Sequence, residues 1–184
     1  MNPILDGILN LEGDYVNHPK DLGGETHWGI TEAAARANDY AGDMKELTRV
    51  EAYSILENMY WIKPGFEKIS RISWAVSFEL CDAAVNIGPH FPCTWLQRWL
   101  NALNREQRFY QDIKADGIIG KRTLEMLSTF LDIRGKEGEE VLLKALNCSQ
   151  GAYYLSITES RPANEEFIYG WLKNRVTLLR PTGS

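Results

Sequence analysis

The chain has 184 residues, 44% of them hydrophobic, with six tryptophans and a formal net charge of −5. That apolar content excludes a disordered chain and suits one compact domain, or one with a small appendage. The acidic balance excludes a phosphate-backbone binder, so nucleic acid is not expected as a partner.

The three cysteines, Cys81, Cys93 and Cys148, form no C-x-x-C pair, and with His18, His27 and His90 they lack metal-ligand spacing. They read as buried small hydrophobes of a chain made in a reducing compartment, with no metal implied. No basic segment followed by a long apolar one opens the chain, so no secretory signal is expected. No apolar run reaches the roughly 18 residues that a membrane span needs.

Taken in order, Pro3 suits a first helical position, and Ile4, Leu5, Ile8, Leu9 and Glu12 follow at helical spacing before Gly13. Glu12 therefore falls at the negative end of a helix dipole, which disfavours its charged form. Burial there would raise its pKa further, as a general acid requires, and the alternative is an exposed helix-end residue. Residues 12–31 then hold Gly13, Gly23, Gly24 and Gly29 among Asp14, Tyr15, Asp21, Thr26, His27 and Trp28. Such a loop turns freely and can aim acids at one point. Asp21 is equally readable as a turn residue before Gly23-Gly24, and Thr26 as an ordinary strand residue.

Thr31 can cap a helix over residues 32–37, which the segment 40–43 breaks. Thr48-Arg49-Val50-Glu51 reads as a capping box opening a helix that reaches Tyr60-Trp61, and Pro64-Gly65 is a second break. Residues 73–86 make the most apolar helix, stopped by Gly88-Pro89, with Asp82 and Asn86 on one face. A helix over 92–103 carries Trp95, Leu96, Trp99, Leu100 and Leu103 as a core stripe. Asp116-Gly117 predicts a tight turn, 135–138 a loop, 139–156 a long helix, and 165–178 a last helix with Phe167, Ile168, Trp171, Leu172 and Val176 facing inward.

The string Glu12-Gly13-Asp14-Tyr15, then His18-Pro19-Lys20-Asp21-Leu22-Gly23-Gly24-Glu25-Thr26, then Gly29-Ile30-Thr31 resembles the signature of glycoside hydrolase family 108, the phage-type N-acetylmuramidases. Its order of Glu, Asp and Thr is also similar to that of phage lysozymes. Asp14 and His18 depart from the family pattern, in place of a glycine and an aspartate. Further segments resemble the family: Asn58-Met59-Tyr60-Trp61-Ile62, Asp82-Ala83-Ala84-Val85-Asn86-Ile87-Gly88, Leu96-Gln97, and Phe167 through Val176. Asp116-Gly117-Ile118-Ile119-Gly120-Lys121-Arg122-Thr123-Leu124 looks like a motif of helical peptidoglycan-binding modules.

The resemblance implies a mainly α (α+β), lysozyme-like helical fold with a small β-hairpin at about residues 15–30 beside an active-site groove. It implies a catalytic lobe over 1–104 and a helical peptidoglycan-binding-like lobe over 105–184. The expected activity is hydrolysis of the β-1,4 bond between N-acetylmuramic acid and N-acetylglucosamine by a phage endolysin. Glu12 would be the acid, Asp21 the base or electrostatic stabiliser, and Thr26 a water-orienting hydroxyl. Tyr15, His27, Trp28, Tyr60, Asp82 and Asn86 are the candidate substrate-binding residues, with core packing the alternative for the aromatics and a buried polar network for Asp82 and Asn86. No cofactor is implied. The expected protein is a monomer with peptidoglycan glycan strands as its partner, made in the host cytoplasm and acting on the periplasmic wall. A lytic transglycosylase acting on the same bond and a non-catalytic wall-binding virion protein stay open.

Overall fold

The computed structural model describes residues 2–11, 15 and 25–176. It is mainly helical, with one two-stranded antiparallel sheet among the described residues. Two compact units divide the chain, Met1–Lys63 and Pro64–Ser184.

In the first unit, α1 (Pro3–Leu11) begins where Asn2 accepts the Ile4 amide on Oδ1 at 3.0 Å and the Asp6 amide on its carbonyl at 3.1 Å. Leu5 and Leu9, one turn apart, are fully buried. Next come β1 (Thr26–His27) and β2 (Ile30–Thr31), paired so that Thr26 faces Thr31 and His27 faces Ile30. Trp28 and Gly29 join them with φ of 55° and 71°. Positive φ at both central residues gives a two-residue turn whose twist matches that of the strands. This hairpin lies inside the segment expected to form one.

Thr31 caps α2 (Glu32–Arg36) by accepting the Ala34 amide at 3.3 Å. A single 3₁₀ turn, Met44–Glu46, precedes α3 (Arg49–Glu57). The predicted capping box is present, with Thr48 accepting the Glu51 amide and Glu51 accepting the Thr48 amide. The helix then widens into a π-helical segment, Asn58–Ile62, in which Trp61 is buried.

The second unit holds α4 (Phe66–Ser70), α5 (Trp74–Ile87), α6 (His90–Ala102), α7 (Lys121–Ser160) and α8 (Glu165–Arg175). Ser73 caps α5 by accepting the Val76 amide at 3.0 Å, and Gly88 ends it as expected. Val76, Leu80, Leu96, Leu100, Leu127, Phe130, Leu142 and Leu146 make this unit's core.

Three expectations need correction here. Residues 135–138 are not a loop: α7 runs through them and bends at Gly135 alone (φ 58°, ψ −149°). One glycine in a conformation closed to L side chains turns the helix axis without a connecting segment. The stripe expected to face inward from α8 is not buried, since Phe167 and Leu172 are 52% and 41% exposed. That helix docks by Trp171 against Tyr154, with ring centroids 5.2 Å apart. Cys81 and Cys93 are buried as expected, but Cys148 is exposed.

Candidate active site

The first unit carries most of the expected site. Glu12 and Asp21 lie outside the described residues; the helix that leads to Glu12 does not. That helix, α1, is held by Leu5 and Leu9 in the core and by Arg49, which bonds Asp6 and Asn10, each at 3.1 Å. A single guanidinium bridging two successive turns fixes the rotation of α1 about its own axis.

Thr26 opens β1 and is half-buried, opposite Thr31. His27 and Trp28 stack with ring centroids 5.3 Å apart, and Tyr15 meets His27 edge-on at 6.0 Å. The Lys45 ammonium sits over the Tyr15 ring, 5.4 Å from its centroid. Two side-chain bonds hold the hairpin to the 3₁₀ turn region: His27 Nδ1 to the Met44 carbonyl at 2.6 Å, and Trp28 Nε1 to the Leu47 carbonyl at 2.8 Å. A carbonyl only accepts, so Nδ1 carries the hydrogen, and in the neutral ring Nε2 is left as an acceptor. Tyr15, Thr26, His27 and Trp28 thus form one aromatic-lined polar edge.

Tyr60 lies in the π-helical segment of the same unit, half-buried, and burial raises its pKa. The Asn58 amide and the Lys63 ammonium both donate to Asn38 Oδ1 at 2.9 and 3.0 Å, tying that segment down. Widened helical turns of this kind recur at functional sites.

Asp82 and Asn86 sit on α5 in the second unit. Asp82 Oδ1 accepts from Arg175 of α8 at 2.6 Å, and the Asn86 amide donates to the Asp82 backbone carbonyl at 2.9 Å. Desolvation pushes the Asp82 pKa up, against the pull of Arg175, so burial outweighs the ion pair. Glu79, one turn before Asp82, is pushed up to about 7, chiefly by burial and then by Asp82, with a hydrogen bond from Asn147 opposing. Neither Glu79 nor the Arg175 partnership was foreseen. The signal was a second acid three residues from Asp82 on a helix otherwise nearly all apolar.

The Asp116-Gly117 turn is organised by Gln97, which is 1% exposed. Its Nε2 donates to Asp116 Oδ1 at 3.1 Å and to the Ile118 carbonyl at 3.0 Å, while its Oε1 accepts the Gly117 amide at 2.8 Å. The Ile118 amide, donating to Asp116 Oδ1 at 3.0 Å, and then the Gln97 amide hold the Asp116 carboxyl below its usual range. Here the motif is a structural clasp between α6 and the start of α7. Among the described residues no group of three or more His, Cys, Asp or Glu side chains could hold a metal ion.

The glycosyl hydrolase 108 family model matches residues 5–88. That segment is a glycosyl hydrolase 108 domain, which makes the chain a glycoside hydrolase. A second model, described as a predicted peptidoglycan domain, matches residues 91–176. The structure of Brucella abortus SagA is similar at a TM-score of 0.58, with 20% identity over 96% of this chain and 95% of that one, a likeness of fold. No curated protein matches the chain's sequence. The glycosyl hydrolase 108 segment includes most of α1, the hairpin, the π-helical turn and all of α5, and so every expected site residue. The peptidoglycan domain begins with α6 and contains Gln97, the Asp116-Gly117 turn, α7 and α8. Together they support hydrolysis of peptidoglycan as the activity and peptidoglycan as the partner.

Proposed function

We propose that this glycoside hydrolase is an N-acetylmuramidase, cutting the β-1,4 bond between N-acetylmuramic acid and N-acetylglucosamine. Glu12 protonates the leaving oxygen, Asp21 activates or stabilises the attack of water, and Thr26 orients that water through its hydroxyl. The observation that carries the reading is the coincidence of the family match over residues 5–88 with Glu12-Gly13-Asp14-Tyr15 directly after α1. A helix clamped by Arg49 and two buried leucines suits the delivery of an acid, because a misplaced proton donor loses most of its effect. The pinned hairpin supports Thr26 in the same way, and the Tyr15, His27 and Trp28 rings give sugar faces an apolar surface.

The biological setting follows as part of the same proposal: a phage endolysin, made in the host cytoplasm and acting as a monomer on the periplasmic wall.

The test is mass spectrometry of fragments released from purified peptidoglycan by wild type and by Glu12→Gln. Reducing N-acetylmuramic acid ends from wild type, falling by at least about a hundredfold in the variant, are expected when a general acid is lost. Anhydro ends would assign a transglycosylase and remove the role of Asp21. Equal release by both proteins would end the assignment of Glu12.

A further inference from the structure

Between α5 and α7, within the second unit, lies a cleft of roughly 310 Å³ that the proposed reaction does not use. Trp74, Phe78 and Glu79 of α5 line one wall, and Leu143, Lys144 and Asn147 of α7 the other. Its volume is at the lower end of the roughly 300–1,000 Å³ of small-ligand sites, enough for one sugar ring.

Three features of the cleft point to a ligand. Trp74 keeps 52% of its surface exposed, and Phe78, one turn on, places its ring centroid 6.4 Å away. Two adjoining rings at the mouth of a cleft form the apolar platform on which the C–H face of a pyranose stacks. Behind them stands Glu79, a carboxyl for which burial is the main cause of a pKa near 7 and which forms no ion pair among the described residues. The neighbouring cation Arg175 bonds Asp82 instead. Lys144 lines the same cleft, yet no Lys144–Glu79 ion pair forms. The Asn147 side chain bonds Glu79, so acid and amide stand side by side at the cleft wall. A carboxyl near neutrality both accepts and donates, and beside an amide it matches the hydroxyl and acetamido groups of an amino sugar. An apolar platform backed by a few convergent polar groups and a perturbed acid is the usual composition of a binding site.

The cleft also joins the two family segments, since α5 closes the glycosyl hydrolase 108 match and α7 belongs to the peptidoglycan domain. Hydrolysis of a long, insoluble glycan benefits from a second hold on the strand away from the cut bond, because two tethered contacts raise the effective concentration of substrate.

We propose that this cleft is an accessory glycan subsite that takes one N-acetylated hexosamine of the peptidoglycan strand, stacked on Trp74 and hydrogen-bonded by Glu79 and Asn147. The choice of peptidoglycan as the glycan rests on the function proposed above; the existence of a sugar site does not.

The experiment uses the full chain carrying Glu12→Gln, titrated with N-acetylchitotetraose while the tryptophan indole N–H resonances are followed by NMR. The Trp74 resonance, assigned by its disappearance in Trp74→Ala, is expected to shift on titration. Trp74→Ala and Glu79→Ala should each weaken retention on purified peptidoglycan by about tenfold, as befits the removal of one stacking ring or one hydrogen-bonding group. Trp74→Phe should restore most of it. In the chain with Glu12 intact, Trp74→Ala should slow digestion of insoluble wall and leave turnover of a short soluble fragment unchanged. An unmoved Trp74 resonance with unchanged retention in both variants would overturn the proposal, even in a chain proven to be a muramidase. Failure of the muramidase reading alone would show as wild type releasing no sugar while the Trp74 resonance still shifts.

Discussion

Glu79 shows how a single residue on a packed helix acquires a property its sequence position hides. Beyond burial, two side chains set its titration, Asp82 on its own helix and Asn147 on α7, while Lys144 lines the same cleft and Tyr154 lies within reach of its charge. Desolvation leads and the Asp82 charge adds to it, so the Glu79 pKa rises to about 7 against the Asn147 hydrogen bond, while Arg175 is committed to Asp82. A carboxyl whose folded pKa lies above its unfolded value holds its proton more tightly in the native state. Stability is therefore highest below the unfolded pKa and falls as pH climbs towards the folded one. Between pH 5 and pH 8 this residue should remove on the order of 2 kcal/mol from the unfolding free energy. Urea denaturation at the two pH values should show wild type losing that much, and Glu79→Gln losing clearly less. Parallel losses would mean that the carboxyl is better solvated than its packing implies. In the other unit, His27 and Trp28 show the complementary case: each spends a ring N–H on a backbone carbonyl, so the rings are aimed before any ligand arrives.

At the scale of elements, α7 is the one whose course matters most, because it supplies a wall of the cleft and the docking surface of α8. Its bend depends on Gly135 at φ 58° and ψ −149°, with open space where a Cβ would stand. The cost of a side chain there is purely one of backbone conformation. Gly135→Ala should destabilise the protein by about 1–3 kcal/mol, read as a fall in the urea midpoint with an unchanged slope. A neutral substitution would mean that the two halves of α7 realign without loss. Gln97 does a different job for its element. By bonding three groups of the Asp116-Gly117-Ile118 stretch, it turns an otherwise irregular connection into a fixed lead-in to α7.

At the scale of the whole molecule, an acidic hydrolase meets an anionic wall, and its net charge of −5 opposes the encounter. Salt screens that repulsion, with a Debye length falling from about 30 Å at 0.01 M to about 8 Å at 0.15 M. Digestion of intact walls should therefore quicken, by about twofold or more, as ionic strength rises over that range. A turbidity assay reads it directly. A steady fall instead would show that a local basic surface governs the approach.

The sequence by itself determined most helix starts and stops and the resemblance to the glycosyl hydrolase 108 family. Helix starts at Thr31, Thr48 and Ser73 were readable because capping is a contact between residues two or three apart. The stop at Gly88 was readable from a glycine beside a proline, and the buried Leu96 and Leu100 from helical spacing, whereas the hairpin came from the family resemblance. The glycine and acid signature in residues 12–31 announced a glycosidase before any geometry was known. Only the tertiary structure decided which polar groups are spoken for. Arg175 reaches Asp82 across ninety-three positions, Trp99 Nε1 reaches Ser149 Oγ across fifty, and Gln97 reaches the 116–118 turn. Burial likewise separated Trp61, in the core, from Trp74, half in solvent, although both stand in apolar helical stretches. Periodicity names the face of a helix, but the neighbour that covers the face comes from distant sequence, and that neighbour sets desolvation, ion pairing and exposure.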